Sequence, residues 1–294
     1  MKFVFTLLLA SLFTFPVLAQ EDLLSMLEDS TDTKKQDVTA TFKTTRLVTG
    51  QSLELHHGGV LNFIIQHRFG QVNGGSYEFF GLDQATIRLG LDMGITKRIN
   101  VGIGRSSVGK VYDGHVKFKI LKQKIDGFPL SVTGYSSMAI NTLKWANPER
   151  ENYFSSRLYY THQLIVGSRV SPSFSWQIAP TLVHRNLVDS INIKNDVLLF
   201  GIGVRQKLTK RISVNFEYFY PLPNRLNARY TNPLSVGFDI ETGGHVFQLH
   251  FTNVQQMADH AFLTETDGHW DNGDIHFGFN ISRVFTLYQW NRNW

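Results

Sequence analysis

The sequence predicts an all-β fold: a single antiparallel up-and-down transmembrane β-barrel, most simply of 12 strands, in the outer membrane. Three observations predict it: an export signal at the start, alternating apolar and polar residues along most of the chain, and connections that alternate between short and long. The last segment, residues 275–285, shows the alternation, because its odd-numbered residues up to 281 are apolar and the residues between them are small or polar. Successive side chains of a strand point to opposite faces, so one face of this segment is apolar.

Residues 1–19 have the features of a secretory signal peptide. Lys2 supplies the positive start, residues 3–13 form an apolar run too short to span a bilayer as a helix, and cleavage is predicted after Ala19. A retained N-terminal anchor is the alternative. No other segment has 18 consecutive apolar residues, so no transmembrane helix is predicted in the rest of the sequence. The lack of cysteine excludes disulfides, thiolate metal sites and lipid attachment at a cysteine.

Residues 20–58 form a predicted periplasmic N-terminal segment. Residues 20–36 are acidic and then basic around a short apolar cluster, whereas residues 38–48 are strand-like in composition. If residues 38–48 were one more barrel strand, the N-terminus would lie outside the cell. We therefore predict that this stretch stays in the periplasm or folds up into the barrel as a plug.

The strand segments that follow each place large apolar side chains opposite polar or small ones. In residues 86–95, for example, Leu89 and Leu91 share one face, and Arg88 and Asp92 share the other. The predicted strands are residues 60–69, 86–95, 100–106, 115–122, 129–139, 154–169, 174–185, 196–208, 212–220, 234–242, 245–252 and 275–285.

The connections alternate in length and thereby predict the topology. Short turns lie at 96–99, 123–127, 171–173, 209–211 and 242–244, and long loops at 71–84, 107–114, 141–153, 187–195, 221–233 and 253–273. Outer-membrane barrels have short periplasmic turns and long extracellular loops, which places the end of the last strand in the periplasm. Counting back makes residues 60–69 the first of 12 strands, an even number as single-chain bacterial barrels have. The predicted barrel comprises residues 59–285 and is followed by a tail at 286–294. A barrel of thirteen or fourteen strands is the alternative to the 12-strand count.

The polar face of these strands carries nine basic but only four acidic residues. The candidate lumen-lining residues are Arg68, Arg88, Asp92, Lys117, Lys119, Arg185, Arg205, Lys207, Glu217, Asp239 and Glu241, with Arg157 and Arg169 on the same pattern. If the lumen is open, the excess of basic residues favours anions. The alternative is a lumen closed by ion pairs between arginine and carboxylate side chains. Inward glycines at 90, 94, 102, 104, 201, 203, 237 and 278 leave room for a plug or for large facing side chains, or simply ease curvature.

Other polar clusters are weaker candidates for chemistry. Residues 266–274 combine carboxylates with glycines as cation-binding loops do, but they lack EF-hand spacing and suit tight turns as well. His184 and Ser190 offer the residue types of a hydrolase without a G-x-S-x-G motif, and a polar strand end is the alternative. His162 falls on the predicted lipid-facing side, which indicates a bulge or a position near the membrane interface.

The apolar face of the last strand is the predicted membrane-assembly signal, formed by Phe277, Phe279, Ile281 and Phe285. Aromatic residues near strand ends are typical of the girdles of membrane barrels. Trp294 is the alternative terminal aromatic, because the chain continues past Phe285.

Four segments carry a resemblance to known proteins: residues 62–70 (NFIIQHRFG), 180–188 (PTLVHRNLV), 244–253 (GHVFQLHFTN) and 278–285 (GFNISRVF). They resemble a family of uncharacterised outer-membrane β-barrel proteins from the Bacteroidota, over nearly the whole mature chain. The resemblance implies an outer-membrane barrel. It implies no catalytic or binding residues, because the family has no established activity.

The sequence thus predicts a non-enzymatic role, as a narrow channel or as a membrane scaffold for a periplasmic or surface protein partner. An outer-membrane lipid hydrolase or acyl-modifying enzyme is the second hypothesis, and a soluble ligand-carrying barrel is the third. The expected partners are outer-membrane lipid and the barrel-assembly machinery. The formal charge of +5 is spread along the chain, so nucleic acid is not an expected partner. Neither a cofactor nor a metal is predicted.

Overall fold

The computed structural model of this protein describes residues 36–188, 193–223, 226–242 and 245–288. The predicted signal peptide, residues 20–35 of the predicted N-terminal segment, Ser190 and residues 289–294 lie outside these ranges. Within them, the helices are all too short or too polar to cross a membrane.

Twelve antiparallel strands form a closed barrel, in which each strand pairs with its neighbours in the chain and the last pairs with the first. The architecture confirms the predicted all-β, up-and-down barrel. The strands are β1 (Val60–Gln71), β2 (Ala85–Gly94), β3 (Ile99–Ser106), β4 (Val111–Leu121), β5 (Ser131–Asn141), β6 (Leu158–Arg169), β7 (Phe174–Arg185), β8 (Asp196–Lys207), β9 (Ile212–Pro221), β10 (Leu234–Thr242), β11 (His245–Thr252) and β12 (His276–Thr286).

Strand β8 illustrates how the alternating sequence builds the wall. Leu198 and Phe200 face outward and are exposed, whereas Val197 and Leu199 beside them face inward and are buried. Leu89 of β2 is exposed on the outer surface in the same way. An apolar outer surface is what contact with lipid requires, and only every second residue of a strand has to supply it.

One predicted loop is wrong. Residues 107–114 are not a long loop, because β4 begins at Val111 and only residues 107–110 connect it to β3. Val111 and Asp113 are buried and Tyr112 is exposed, so these residues continue the alternation of the wall. Asp113 and Gly114 have low strand propensity, but pairing with both β3 and β5 keeps them in the sheet. Residues 154–157, predicted to begin a strand, instead form a 3-10 turn before β6.

Residues 40–57, which we call the plug segment, lie inside the barrel. Residues 38–48 are strand-like in composition, but this stretch is a series of bends with isolated bridges from Asp37 and Arg46. Its backbone groups bond to inward side chains of the wall, such as Glu217 and Lys117, instead of to a neighbouring strand. Asp37 bridges to Lys124 in the β4–β5 connection, so the chain enters the barrel at the end where the short turns lie.

Residues 253–266, which we call the lid segment, fold inward from the connection between β11 and β12, at the opposite, long-loop end. The segment contains the short helix α1 (Asp259–Thr264), whose residues are all buried. An apolar cluster joins the lid segment to the wall and contains Val183, Val197, Leu199, Phe219, Val254, Phe262 and Leu263. A second cluster joins the plug segment to the wall and contains Phe42, Leu47, Leu53, Ile165 and Ala179. The lumen is thus occupied by two segments that enter from opposite ends.

Candidate functional site inside the barrel

Two of the predicted lumen lysines bind the plug segment. Lys117 of β4 donates hydrogen bonds to the carbonyl oxygens of Thr45 at 2.8 Å and Ser52 at 3.1 Å, and Lys119 donates to the carbonyl of Leu53. Lys117 is almost completely buried. Carbonyl oxygens carry only partial charges, so they bind the ammonium groups without neutralising them.

Glu217 of β9 holds the bend at the centre of the plug segment. Its carboxylate accepts hydrogen bonds from the backbone N–H groups of Val48 at 3.2 Å, Thr49 at 2.9 Å and Gly50 at 3.1 Å. Successive backbone N–H groups that converge in this way form an anion-binding concavity. The close approach requires Gly50, because a Cβ at this position would lie 2.7 Å from the ring of Phe219.

An ion pair inside the wall neutralises one of the predicted basic residues. Arg88 of β2 pairs with Asp113 of β4 through two hydrogen bonds, and it also donates to Gln66 Oε1 at 2.9 Å. All three side chains are buried. Asp113 was missed because it fell in the predicted loop, although the alternation of residues 111–113 was a signal that could have found it. A buried charge is tolerated when it is paired and hydrogen-bonded.

A second buried ion pair joins the plug segment to the lid segment. Arg46 Nη1 lies 2.9 Å from Asp259 Oδ1, and both side chains are almost fully buried. The other carboxylate oxygen accepts hydrogen bonds from Gln51 at 3.3 Å and from the hydroxyl of Tyr135 in β5. Neither Arg46 nor Asp259 was predicted, because their positions in the sequence are 213 residues apart and no local pattern relates them.

The charges of this pair stabilise each other against burial. Burial alone would raise the pKa of the Asp259 carboxyl, but the charges of Arg46 and Arg88 and the hydrogen bonds from Tyr135 and Arg46 hold it well below its usual value. Burial likewise disfavours the charged form of Arg46, but attraction to Asp259, Tyr135, Asp92 and Asp113 together outweighs it, so the pKa of the guanidinium is raised. Both groups are therefore ionised at neutral pH.

His260 follows Asp259 in α1 and is also buried. Its ring stacks on Tyr159 of β6, with the centroids 4.1 Å apart and the planes 18° from parallel. Burial lowers the pKa of His260 to about 4, although the neighbouring charges of Asp259 and Asp113 act in the opposite direction. The imidazole is therefore neutral at pH 7.

Six more of the predicted lumen residues fall into two groups. Three of them bind side chains of the plug segment: Arg68 with Thr49 at 2.9 Å, Asp92 with Thr45 at 3.1 Å, and Glu241 with Lys43 at 2.5 Å. Three bind the wall or a loop: Arg185 with the Lys194 carbonyl at 2.9 Å, Arg205 with Ser213 at 3.1 Å, and Asp239 with Gln248 at 2.8 Å.

The three remaining basic residues lie near the barrel ends. Lys207 is half-buried at the short-turn end of β8. Arg169 donates to the carbonyl of Thr39 at 2.9 Å. Arg157 precedes β6, and its guanidinium lies 3.6 Å from the ring centroid of Trp145.

Inward glycines make room for the plug segment at two places. A Cβ at Gly94 would collide with the backbone of His57, and a Cβ at Gly203 would collide with the side chain of Leu47. Larger residues at these positions would therefore displace the plug segment from the wall. Gly104 instead makes room for the guanidinium of Arg88.

A cavity of about 410 Å³ separates the plug segment from the wall at the short-turn end. Lys43 and His56 line it on one side, and Glu241 and His245 line it on the other. The plug segment therefore leaves polar space beside it at this end of the lumen.

The residues of the hydrolase hypothesis are only partly described. His184 Nδ1 lies 2.7 Å from Asp196 Oδ1, and both side chains are exposed at the long-loop end. Ser190 lies outside the described residues, so this hypothesis stays a prediction. The test is a lipid hydrolysis assay with the native protein and Ser190→Ala, in which equal activity would remove the idea.

Two further sequence features have structural explanations. His162 is exposed on the outer surface without a bulge, because its pairing with Ser136 and Leu182 is in register, and its Nδ1 lies 3.0 Å from Ser136 Oγ. In the loop at 266–274, Asp274 accepts hydrogen bonds from the backbone of His269 and from Asn73. Among the described residues, no three His, Asp or Glu side chains converge as metal ligands do.

The predicted assembly signal lies on the outer face of β12. Phe277 stacks on Phe69 with the ring centroids 5.7 Å apart, and Phe279 stacks on His67 at 4.8 Å. Ile281 is half-buried in the same row. Phe285 is exposed beneath the guanidinium of Arg283, which lies 5.0 Å from its ring centroid. The role of these residues in assembly stays a prediction.

An apolar outer wall around a lumen occupied by two charged, hydrogen-bonded segments defines a membrane-bound β-barrel. The family model described as "Membrane bound beta barrel domain (DUF5777)" matches residues 42–285, and the chain belongs to this family. The match begins inside the plug segment and ends with the last strand. The Bacteroidota source expected from the sequence resemblance stays a prediction.

Solved structures with a similar arrangement are outer-membrane proteins of different activities. The NanC porin is 8% identical over 78% of this chain and 100% of its own, with a TM-score of 0.49. An outer membrane channel from Pseudomonas putida F1 is 9% identical over 79% and 97%, with a TM-score of 0.47. Outer membrane phospholipase A from Escherichia coli is 10% identical over 82% and 98%, with a TM-score of 0.45. No curated protein matches the chain in sequence. Likeness at this level carries no argument about activity.

Proposed function

We propose that this protein is a channel of the bacterial outer membrane, and that the plug and lid segments close it in the conformation described above. The proposal places the short turns in the periplasm and the long loops outside the cell, as in other outer-membrane barrels. The plug segment then enters from the periplasm, and the lid segment folds in from the cell surface.

The observation that carries the proposal is the way the basic side chains of the wall are bound. Lys117 and Lys119 bind carbonyl oxygens of the plug segment, and Arg68 binds the hydroxyl of Thr49, so these contacts end if that segment leaves. A lumen meant to stay closed has no need of such cations, since apolar side chains fill it at lower desolvation cost. Departure of the plug segment would leave a polar, cationic inner surface, which can line a water-filled pore.

The test is conductance in planar bilayers. A variant with the signal peptide but without residues 20–57 should conduct, because it lacks the plug segment and its lid segment loses the ion pair between Asp259 and Arg46. A variant without residues 20–35 alone is the matched control, and it should stay as closed as the full chain. The β-sheet content of both variants is checked by circular dichroism. A folded barrel without residues 20–57 that shows no conductance would contradict the channel function.

A permanently closed membrane scaffold is the second candidate, because apolar contacts also hold the lid segment. Phe262 and Leu263 pack against Val183 and Leu199 of the wall, which are poorly suited to line a water-filled pore. A scaffold predicts no conductance from either variant and capture of a periplasmic or surface partner by the full chain.

A further inference from the structure

Arg105 is a cation on the outer surface of the barrel, near the long-loop end of β3. It is exposed, and strand alternation places it on the same face as Ile103. Its guanidinium lies 5.7 Å from the ring centroid of Tyr112 in β4, and among the described residues no carboxylate forms an ion pair with it. This cation–π contact keeps the guanidinium near the Tyr112 ring and leaves its N–H groups able to bind an anion.

A groove in the outer surface begins beside Arg105, because one residue in a row of outward side chains is a glycine. Gly114 of β4 pairs with Ile103 on one side and with Met138 on the other. Without a side chain between them, Ile103 is 62% exposed and Met138 is 51% exposed, more than the outward Leu91 at 40%. The groove has a volume of about 570 Å³, and its lining is apolar apart from Arg105, Tyr112 and Asp113, whose carboxylate is paired with Arg88.

We propose that this groove binds a phosphate-bearing membrane lipid, with the phosphate at Arg105 and an acyl chain lying over Gly114 between Ile103 and Met138. Arg105 pairs across the strands with Leu89 and Tyr112, one step nearer the barrel end than the row that contains Gly114. A cation near the end of the wall lies at the level of lipid headgroups, and the apolar row next to it lies at the level of acyl chains. Guanidinium groups bind phosphate through two parallel hydrogen bonds, which gives the site its charge complementarity.

Two other places on the outer surface have either a groove or a basic side chain over an aromatic ring, but not both. The groove around His162 and Leu164 is of similar size, about 610 Å³, but no Arg or Lys lines it. Arg283, at the opposite end of the barrel, has its guanidinium over the Phe285 ring as Arg105 has over Tyr112, but it lines none of the three cavities described above. The combination of a cation and a groove therefore distinguishes the site at Arg105 from both.

Native mass spectrometry of the delipidated full-length protein tests the proposal. The probes are phosphatidylglycerol, diacylglycerol with the same chains, and inorganic phosphate. The variants are Arg105→Gln, which removes the cation, and Gly114→Leu, which fills the groove. A Cβ at Gly114 would meet only the carbonyl oxygen of Gly102, at 3.9 Å, so a side chain can leave the backbone at this position without a close contact. Arg283→Gln is the matched control.

We expect phosphatidylglycerol to bind the native protein and the control, and to bind about tenfold more weakly to Arg105→Gln and to Gly114→Leu. Diacylglycerol should bind weakly to all of them, and inorganic phosphate should not displace the lipid. Equal retention of phosphatidylglycerol by Arg105→Gln, or no effect of Gly114→Leu, would overturn the proposal. Displacement by inorganic phosphate would show a simple anion site instead, and would overturn it as well. None of these outcomes depends on whether the barrel conducts.

Discussion

His260 makes the closed lid segment sensitive to acid. The ordinary pKa of a histidine is about 6.5, and burial lowers the pKa of His260 to about 4. The displaced lid therefore binds an extra proton between these two values. The stabilisation that a neutral His260 gives the closed lid is complete above about pH 6.5 and is lost as the pH falls towards 4. The full loss is about 3 kcal/mol.

We predict that the backbone amides of α1 exchange hydrogen faster at pH 4.5 than at pH 7, by roughly 100-fold after correction for intrinsic rates. The variant His260→Phe keeps the stacking on Tyr159 and should lose this response. His184→Phe, which replaces an exposed histidine, is the control and should keep it. If His260→Phe responds to pH as the native protein does, His260 is not the titrating group.

At the scale of elements, the ion pair between Arg46 and Asp259 couples the plug segment to the lid segment. We predict that Arg46→Met exposes the plug segment, because it leaves a buried carboxylate without its counter-ion, a change that typically costs about 3–5 kcal/mol. The double variant Arg46→Met/Asp259→Leu should recover much of this loss, since it leaves no charge unpaired. A double-mutant cycle isolates the coupling between the two segments.

Cysteine labelling measures this exposure, because the chain has no cysteine of its own. In a Thr49→Cys background, maleimide should react much faster with the Arg46→Met variant than with the parent, and at an intermediate rate with the double variant. Lys43→Met breaks the half-exposed pair with Glu241 and serves as the control, with a small effect expected. Equal labelling rates for Arg46→Met and its parent would show that the ion pair does not hold the plug segment.

At the scale of the whole molecule, the charge of the wall sets the ion preference of the opened barrel. The variant without residues 20–57 should prefer anions, because inward basic residues outnumber acidic ones even after Arg88 is paired with Asp113. Adding Lys117→Glu and Arg205→Glu should remove the preference, because these two changes make the unpaired inward basic and acidic residues equal in number. Reversal potentials across a salt gradient measure it.

The control for ion preference is Arg283→Glu, which changes the same charge on the outer surface and should leave the reversal potential as it was. An unchanged preference in the Lys117→Glu/Arg205→Glu variant would mean that ions do not pass along this part of the wall.

The errors of the sequence analysis share one physical cause. Residues 38–48 have strand-like composition, yet they form bends because Glu217 and Lys117 satisfy their backbone groups. Residues 111–114 were predicted as a loop, yet pairing on both sides keeps them in β4. In both cases tertiary contacts outweigh a weak local preference.

The sequence by itself determined the wall: the number of strands, the direction of each face, and the outward position of residues such as Phe200 and His162. Successive residues of a strand point to opposite faces, so the local sequence alone shows which residues share a face. Only the tertiary structure decided how the lumen is filled. The contacts of Arg46 with Asp259 and of Glu217 with residues 48–50 join positions more than 160 residues apart, and they form only because the plug and lid segments fold into the closed barrel.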